Sequence, residues 1–228
     1  MTRASTSRPK RSAAGAPLGP ARRGAVLPAK IPRADNRLPQ ILDAAATLFA
    51  AKGYQASSIR DIVKVAGMLP GSLYYHFANK DQLLVAVYAE GVRRIGAAVD
   101  AALARQNDAT EPWARLEAAC VAHLESLLAR SAYAKVVISV QPCDVPAVAR
   151  ELIALRAGYE RQFVSLIAAL PLPKRLRSRQ SRASLRLLLL GALNWTPTWY
   201  DAAYRSGRLA PPRIARNFIT LLQTELTA

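Results

Sequence analysis

The chain has 228 residues, of which 51% are hydrophobic and 21% charged, and its formal net charge is +17. This length suits one small and one larger domain with a substantial core. So positive a chain is unusual for a soluble enzyme. It favours a polyanionic partner, most often nucleic acid, with a membrane surface as the alternative. No run approaches the roughly 18 apolar residues of a membrane span, and two cysteines, Cys120 and Cys143, are too few for a zinc site or a redox pair.

Residues 1–37 are rich in Arg, Pro, Ala and Gly and are predicted to form a basic arm without a core of its own. Nine lysines and arginines stand against one acid, Asp35, so the segment has a net charge of +8. Two interpretations are open for this arm. It is either a solubilising extension or a segment that follows DNA phosphates or enters the minor groove.

Residues 38–88 are predicted to form a domain of three short helices followed by the start of a longer one. The first helix has a single apolar face, formed by Ile41, Ala45, Leu48 and Phe49. The second begins at a capping box in which Ser58 precedes Asp61 by three residues. It ends at Gly67, a residue that permits a tight turn.

The third helix begins at Pro70, which suits the first helical position because no N–H is needed there. Leu73 and Phe77, four residues apart, are sufficient to anchor it. Its other side chains can donate hydrogen bonds or stack: Ser72, Tyr74, Tyr75 and His76, with Lys80 just beyond. Two helices joined by a short turn with Gly, the second rich in such groups, are typical of a helix-turn-helix. That motif presents its second helix to the DNA major groove.

This region resembles the N-terminal domain of the TetR family of transcriptional regulators. The matching positions extend along the region: Ile41 to Ala45, Leu48-Phe49, Lys52-Gly53-Tyr54, Ile62, Ala66-Gly67, Leu73 to Phe77 and Asn79 to Leu83. The resemblance implies an all-α homodimer with an N-terminal helix-turn-helix domain. It also implies a C-terminal domain that binds a small-molecule effector and thereby changes the spacing of the two DNA-reading domains.

The resemblance also implies roles for individual residues of this sequence. The residues at the DNA groove would be Pro70, Gly71, Ser72, Tyr74 and Tyr75, and those at the phosphate backbone Arg60, His76 and Lys80. One position departs from the family, because Leu69 stands where the family usually has Ser or Thr. Leu69 cannot accept a backbone hydrogen bond, so a helix cap worth roughly 1 kcal/mol is missing.

Residues 89–228 are predicted to form the C-terminal helical domain, which brings the chain to about nine helices. A helix from Asp81 to about Arg105 would connect the two domains. Further helices are expected at about 112–129, 133–140, 144–170, 180–197 and from 211 onward. Asp144 is the expected N-cap of the 144–170 helix, and Pro197 the expected end or kink of the next. The last two helices have surplus apolar surface, which fits an isologous dimer interface.

The Leu-rich run from Leu185 and the stretch 194–200 resemble, more weakly, the C-terminal part of TetR-type regulators that respond to acyl-coenzyme A thioesters. This implies an acyl-coenzyme A effector, held in a slot between helices. The candidate ligand-binding residues are Arg156, Arg186, Asn194, Trp195 and Trp199. The two tryptophans also fit the core or the dimer contact, which is the commoner role for such residues. His123 is expected to be a solvent-edge or core histidine rather than a ligand-binding one.

Together these patterns predict a cytoplasmic, effector-responsive DNA-binding regulator, in this family usually a repressor, which acts as a homodimer on a palindromic operator. An architectural DNA-binding protein that needs no effector is the alternative. The sequence has no metal-spaced His cluster, no Gly-rich phosphate loop and no supported Ser/His/Asp group. We therefore expect no catalysis, no metal and no cofactor.

Overall fold

The computed structural model of the chain describes residues 37–107, 109–200 and 209–227. The predicted arm lies outside the described residues except for Arg37, as does most of the polar loop before the last helix. Within these ranges the chain has nine α-helices and no strand, which confirms the all-α prediction. The helices are α1 (Leu38–Lys52), α2 (Ile59–Val65), α3 (Pro70–His76), α4 (Lys80–Ala104), α5 (Pro112–Leu128), α6 (Ala132–Ser139), α7 (Ala149–Ala168), α8 (Arg179–Trp199) and α9 (Pro211–Thr227). Three 3₁₀ turns lie at Pro142–Asp144, Pro146–Val148 and Lys174–Leu176.

Helices α1 to α3 and the start of α4, up to Tyr88, form a head. The predicted capping box opens α2, since the Ser58 hydroxyl accepts from the Asp61 N–H at 3.1 Å and the Asp61 carboxylate accepts from the Ser58 N–H at 3.3 Å. Helix α3 begins after Leu69 without a side-chain cap, as predicted. Asn79 caps α4, because its Oδ1 accepts from the Gln82 N–H at 2.9 Å. Local sequence therefore sets where the helices of the head begin.

Gly67 ends α2 in a backbone conformation that is energetically unfavourable for residues with a side chain. Its φ is +64°, in the left-handed region. The N–H of Met68 donates to the Val63 carbonyl at 2.9 Å, and the N–H of Gly67 donates to the Lys64 carbonyl at 3.2 Å. These two bonds form a Schellman motif, which stops α2 and turns the chain into α3.

Two buried apolar clusters run through the described residues. The first joins the head to α6 and the start of α7, with Phe49 and Leu73 alongside Val136 and Leu152. The second lies among the later half of α4 and helices α5, α7, α8 and α9. The head therefore shares its core with α6 and α7, and a displacement of either helix acts on the core that anchors α3.

Helix α4 runs from the head into the body, the name used here for the described residues after Tyr88. It passes very close to α6 at Gly91, where an added Cβ would lie 2.6 Å from Val137 Cγ2 and 3.0 Å from the Tyr133 carbonyl oxygen. This glycine thus permits a helix crossing that any larger residue would force apart. No helix in the described part of the chain is long and apolar enough to cross a membrane.

One expectation about a helix end was wrong. Asp144 does not cap α7, because it lies in a 3₁₀ turn and accepts from the Gln141 N–H at 3.1 Å, while Val148 occupies the N-cap of α7. Helix α8 ends at Trp199, two residues after Pro197, where an end or a kink was expected. A proline in the last turn removes only one intrahelical hydrogen bond, so the helix continues for two more residues.

Candidate nucleic-acid interface and ligand cavity

Helix α3 is anchored by one side and shows the other to solvent. Leu73 is fully buried and Phe77 is 9% exposed. On the opposite side Tyr74 is 56% and Tyr75 is 78% exposed. Exposed tyrosines present both a ring that can stack and a hydroxyl that can donate or accept a hydrogen bond. The fold thus leaves free the surface that the sequence analysis assigned to DNA.

The remaining residues predicted at the DNA groove or at phosphates lie around these tyrosines. Arg60, Pro70 and Gly71 are exposed, and His76 is half-buried, with its ring 5.1 Å from that of Tyr75 in an edge-to-face arrangement. Ser72 Oγ accepts a hydrogen bond from Arg37 Nη1 at 3.0 Å. The N-terminal flank of α1 therefore brings a guanidinium to the start of α3, a contact that sequence reasoning missed. Contact of these residues with DNA stays a prediction.

Lys80 makes contacts within the fold that the sequence analysis did not predict. Its ammonium donates to the carbonyls of Tyr54 and Ser57, each at 3.0 Å, and lies 4.3 Å from the centre of the Tyr54 ring. The Tyr54 hydroxyl donates to the neighbouring Asp81 carboxylate. Burial, and then this bond, raise the pKa of Tyr54. Lys80 thus ties the α1–α2 loop to α4, and a phosphate contact by Lys80 would compete with these carbonyls.

A polar cluster connects the head to the body. The Tyr133 hydroxyl of α6 donates to Asp43 Oδ1 of α1 at 2.7 Å. Burial is the main cause that raises the pKa of Tyr133, followed by this bond. Arg94 of α4 stacks over the Tyr133 ring at 4.0 Å and pairs with Glu90 at 2.7 Å. Helices α1, α4 and α6 are therefore linked by charge-assisted hydrogen bonds as well as by apolar contacts.

The body contains a cavity of about 410 Å³ between α4, α5, α6, α7 and α8, hereafter the first cavity. This volume lies in the range of small-molecule sites. Its apolar walls are Val92, Ile95, Leu127, Val137, Ile138, Leu190, Gly191 and Trp195. Its polar lining comprises His123, Gln141, Arg156, Tyr159, Glu160, Asn194 and Thr198. An apolar cavity with a few converging polar groups fits the binding of a small organic molecule.

His123 is held at the cavity wall by two partners. Its Nδ1 lies 2.6 Å from the Tyr159 hydroxyl, and its Nε2 lies 3.1 Å from Asn194 Oδ1. Burial lowers the pKa of His123 to about 4, although the Asn194 bond opposes this. The imidazole is therefore neutral near pH 7. The arrangement fits a tautomer in which Nε2 donates to Asn194 and Nδ1 accepts from Tyr159.

Of the five predicted ligand residues, the structure brings three to the cavity. Arg156, Asn194 and Trp195 line it, whereas Arg186 and Trp199 do not. Arg186 instead pairs with Glu160 at 2.7 Å. The Arg156 guanidinium donates to the Tyr88 hydroxyl, to Gln141 Oε1 at 3.2 Å and to the carbonyls of Val137 and Val140 at 3.3 Å. Arg156 therefore joins the cavity wall to α4 and to the end of α6.

Comparison with known proteins identifies the family. A family model described as "Bacterial regulatory proteins, tetR family" matches residues 41–87. A second, described as "Tetracyclin repressor-like, C-terminal domain", matches residues 109–226, more than half of the chain. The chain belongs to the TetR family.

Individual relatives match this TetR-family chain over different shares of its length. The HTH-type transcriptional repressor KstR2 of Rhodococcus jostii (strain RHA1) is 50% identical over 49 residues, which are 22% of the chain and 24% of KstR2. The match thus spans about a quarter of that relative. The superantigen PfiT is 27% identical with a TM-score of 0.66, over 82% of the chain and 96% of PfiT. AibR in complex with isovaleryl coenzyme A and operator DNA has a TM-score of 0.65 at 21% identity, over 81% of the chain and 97% of AibR, which establishes likeness of fold alone.

Helices α8 and α9 of the TetR-family chain leave large apolar side chains in solvent. Leu187 is 59%, Leu188 72%, Trp195 67% and Leu221 64% exposed. The surplus apolar surface that the sequence analysis expected on these two helices is thus exposed within a single chain. Exposed apolar surface of this extent fits a second protein surface that covers it.

Sequence reasoning missed most of the cavity. Gln141, Tyr159 and Glu160 were not among the candidate ligand residues. A usable signal existed in the spacing of Tyr159 and Phe163 on one face of α7, which places both rings beside His123. The described residues contain no group of three or more His, Cys, Asp or Glu that could hold a metal ion.

Proposed function

We propose that this TetR-family chain is a DNA-binding transcriptional regulator, acting as a repressor on a palindromic operator. The observation that carries the proposal is the exposure of Tyr74 and Tyr75 on a helix held by Leu73 from behind. A short helix with this one-sided anchoring can enter the major groove without disturbing its own core. Arg60 and His76 lie beside it and can contact phosphates, which position a protein on the duplex.

A second copy of the chain is the proposed partner across the exposed α8 and α9 face. An isologous contact would place Leu188 and Trp195 of each copy against the same surface of the other. Two heads joined at a spacing of about 34–36 Å read two half-sites one helical turn apart. The linkage raises operator affinity far above that of one head.

The first cavity is the proposed effector site. An effector that prefers the conformation with wrongly spaced heads weakens operator binding by its difference in affinity for the two conformations. An acyl-coenzyme A thioester is the proposed effector class. It is supported by the apolar cavity walls and by the fold likeness to AibR, whose structure contains isovaleryl coenzyme A.

The test is selection of DNA from a random-sequence pool by the purified full-length protein, followed by titration of the enriched sequence. We expect a palindrome with half-sites about one turn apart. Tyr75→Ala should lower affinity for it by about 1–3 kcal/mol, the size of one base contact. The matched control is Ile153→Ala, an exposed apolar position on α7. Recovery of no common sequence would instead favour an architectural DNA-binding protein.

A further inference from the structure

A second cavity, of about 500 Å³, adjoins the first one. It lies where α1, α5, α6 and α8 meet, and Leu127 and Ile138 line both cavities. Its other lining residues are Ala50, Leu128, Arg130, Lys135, Ser139, Pro197 and Tyr200. The two cavities are thus neighbours whose linings meet at these two apolar side chains.

The two cavities differ in charge. The second has two cations in its lining, Arg130 and Lys135, and no acid among the described residues that line it. Within the described part of the chain neither cation has a hydrogen bond or an ion pair. In the first cavity the cation Arg156 already donates to four protein acceptors, and the acid Glu160 is paired with Arg186 at 2.7 Å. The Arg156 guanidinium is thus already engaged, whereas a negative group in the second cavity would meet two side-chain cations that have no partner among the described residues.

Both cations occupy unusual positions in the backbone, Lys135 in α6 and Arg130 in the loop between α5 and α6. Lys135 lies in the first turn of α6, where the helix dipole disfavours a cation. Arg130 has a φ of +56°, a backbone conformation that is uncommon for a residue other than Gly. An anion beside Lys135 would offset the electrostatic cost at that position, whereas the backbone cost at Arg130 does not depend on a ligand.

We propose that the effector is an amphipathic anion that spans both cavities, with its apolar part in the first and its negative group between Arg130 and Lys135. The proposal rests on the proposed effector-dependent function and specifies a ligand with an apolar body and a negative group, either the phosphates of a coenzyme A thioester or the carboxylate of a free acid. Ala50 of α1 also lines the second cavity. The negative end of the ligand therefore touches the head directly, which gives the effector a short route to the DNA-reading helices.

The experiment measures binding of four probes to the full-length chain by calorimetry: dodecanoate, dodecyl phosphate, lauroyl-coenzyme A and the uncharged dodecanol. The test variant is Arg130→Gln with Lys135→Gln. The matched control is Arg150→Gln with Arg161→Gln, two exposed cations of α7 that line neither cavity. We expect the test variant to bind the anionic probes roughly tenfold or more weakly, as for lost charge-assisted hydrogen bonds. Dodecanol binding should not change.

A second variant tests whether the ligand spans both cavities. Gly191 lines the first cavity, and a Cβ added there would meet nothing within 4 Å. The Cβ of Gly191→Leu is therefore accommodated without a clash, and the larger side chain at the cavity wall should weaken binding of all four probes. No effect of Gly191→Leu would confine the ligand to the second cavity and overturn the spanning proposal.

The remaining outcomes are also decisive. Equal losses of affinity in the test variant and its matched control would show a general charge effect and overturn the proposal. Failure of the unaltered chain to bind any probe would overturn this ligand class. Operator binding is measured on the same preparation without any probe. It tests the proposed DNA-binding function independently of the results with the probes and the variants. Comparison of the three anionic probes then distinguishes a carboxylate from a phosphate.

Discussion

The head and the body present their functional groups in opposite directions. On α3, the buried Leu73 holds a helix whose Tyr74 and Tyr75 project into solvent. In the body, five helices turn groups such as His123 and Arg156 inward around a cavity. A surface that reads DNA can thus be separated from the core beneath it, whereas a cavity is itself part of the core. Substitutions on the exposed face of α3 should therefore alter DNA binding alone. Substitutions at the cavity should alter both ligand binding and the stability of the fold.

The largest expected effect is on operator affinity and is an exception to this division, because the substituted residue is an exposed residue of the body. Leu188→Glu places a charge on the α8 face that is proposed to meet a second chain. We expect a folded monomer whose operator affinity is about 10²–10⁴-fold lower, since the gain from joining two heads is lost. Light scattering after size exclusion reports the mass, and operator titration reports the affinity.

Ile153→Glu is the control for this variant, because Ile153 is also exposed, at 54%, but lies on α7. It should leave both mass and operator affinity unchanged. A dimeric Leu188→Glu chain would show that the α8 face does not join the copies.

The next effect is the pH dependence that His123 gives to stability. Its folded pKa of about 4 lies below the value of about 6.5 in an unfolded chain, so the unfolded state binds more protons between these values. Stability is therefore present in full above about pH 6.5 and is lost as pH falls toward 4, by on the order of 3 kcal/mol. Urea unfolding at several pH values measures this loss.

His123→Phe is the matched variant, since it keeps a ring in the same place without a titratable group. Its free energy of unfolding should fall less than that of the unaltered chain between pH 6.5 and 4. Parallel pH profiles of the two proteins would mean that His123 is protonated in the folded state at low pH without cost.

The smallest effect compares two glycines of the body. Gly91→Ala places a Cβ 2.6 Å from Val137 Cγ2 and should destabilise the chain by about 1–3 kcal/mol through overpacking. Gly191→Ala meets nothing within 4 Å and lies in α8, so it should stabilise by up to about 1 kcal/mol. Thermal unfolding of both variants gives the sign of each change. The double variant Gly91→Ala with Val137→Ala should recover part of the loss at Gly91, because the clashing methyl is then absent.

The sequence predicted the head well because its information is local. The capping box at Ser58 and Asp61, the turn at Gly67 and the cap at Asn79 each involve residues within five positions of one another. Exposure of Tyr74 and Tyr75 followed from the four-residue spacing of Leu73 and Phe77. Where the head depends on distant residues, prediction failed: the bonds from Lys80 to the α1–α2 loop join positions more than twenty residues apart.

The cavity could not be predicted in the same way. Its lining is drawn from residues between Val92 and Thr198, and the spacing on one helix does not tell which side faces the others. Arg186 seemed a ligand group until the fold placed it against Glu160. Trp195, one of the candidate ligand residues, lines the first cavity, and its contact with a ligand stays a prediction. The close crossing at Gly91 and the second cavity had no local signal. These features are set by how helices cross, and periodicity describes each helix alone.

The position of Trp195 matters for more than ligand binding, because its side chain belongs to two surfaces at once. It lines the first cavity and is also 67% exposed on α8, the face that a second copy is proposed to cover. An effector that turns this indole would alter the contact between subunits before any signal reached the head. The two effector sites of a dimer would then be energetically linked, and occupancy of one would change the dissociation constant of the other.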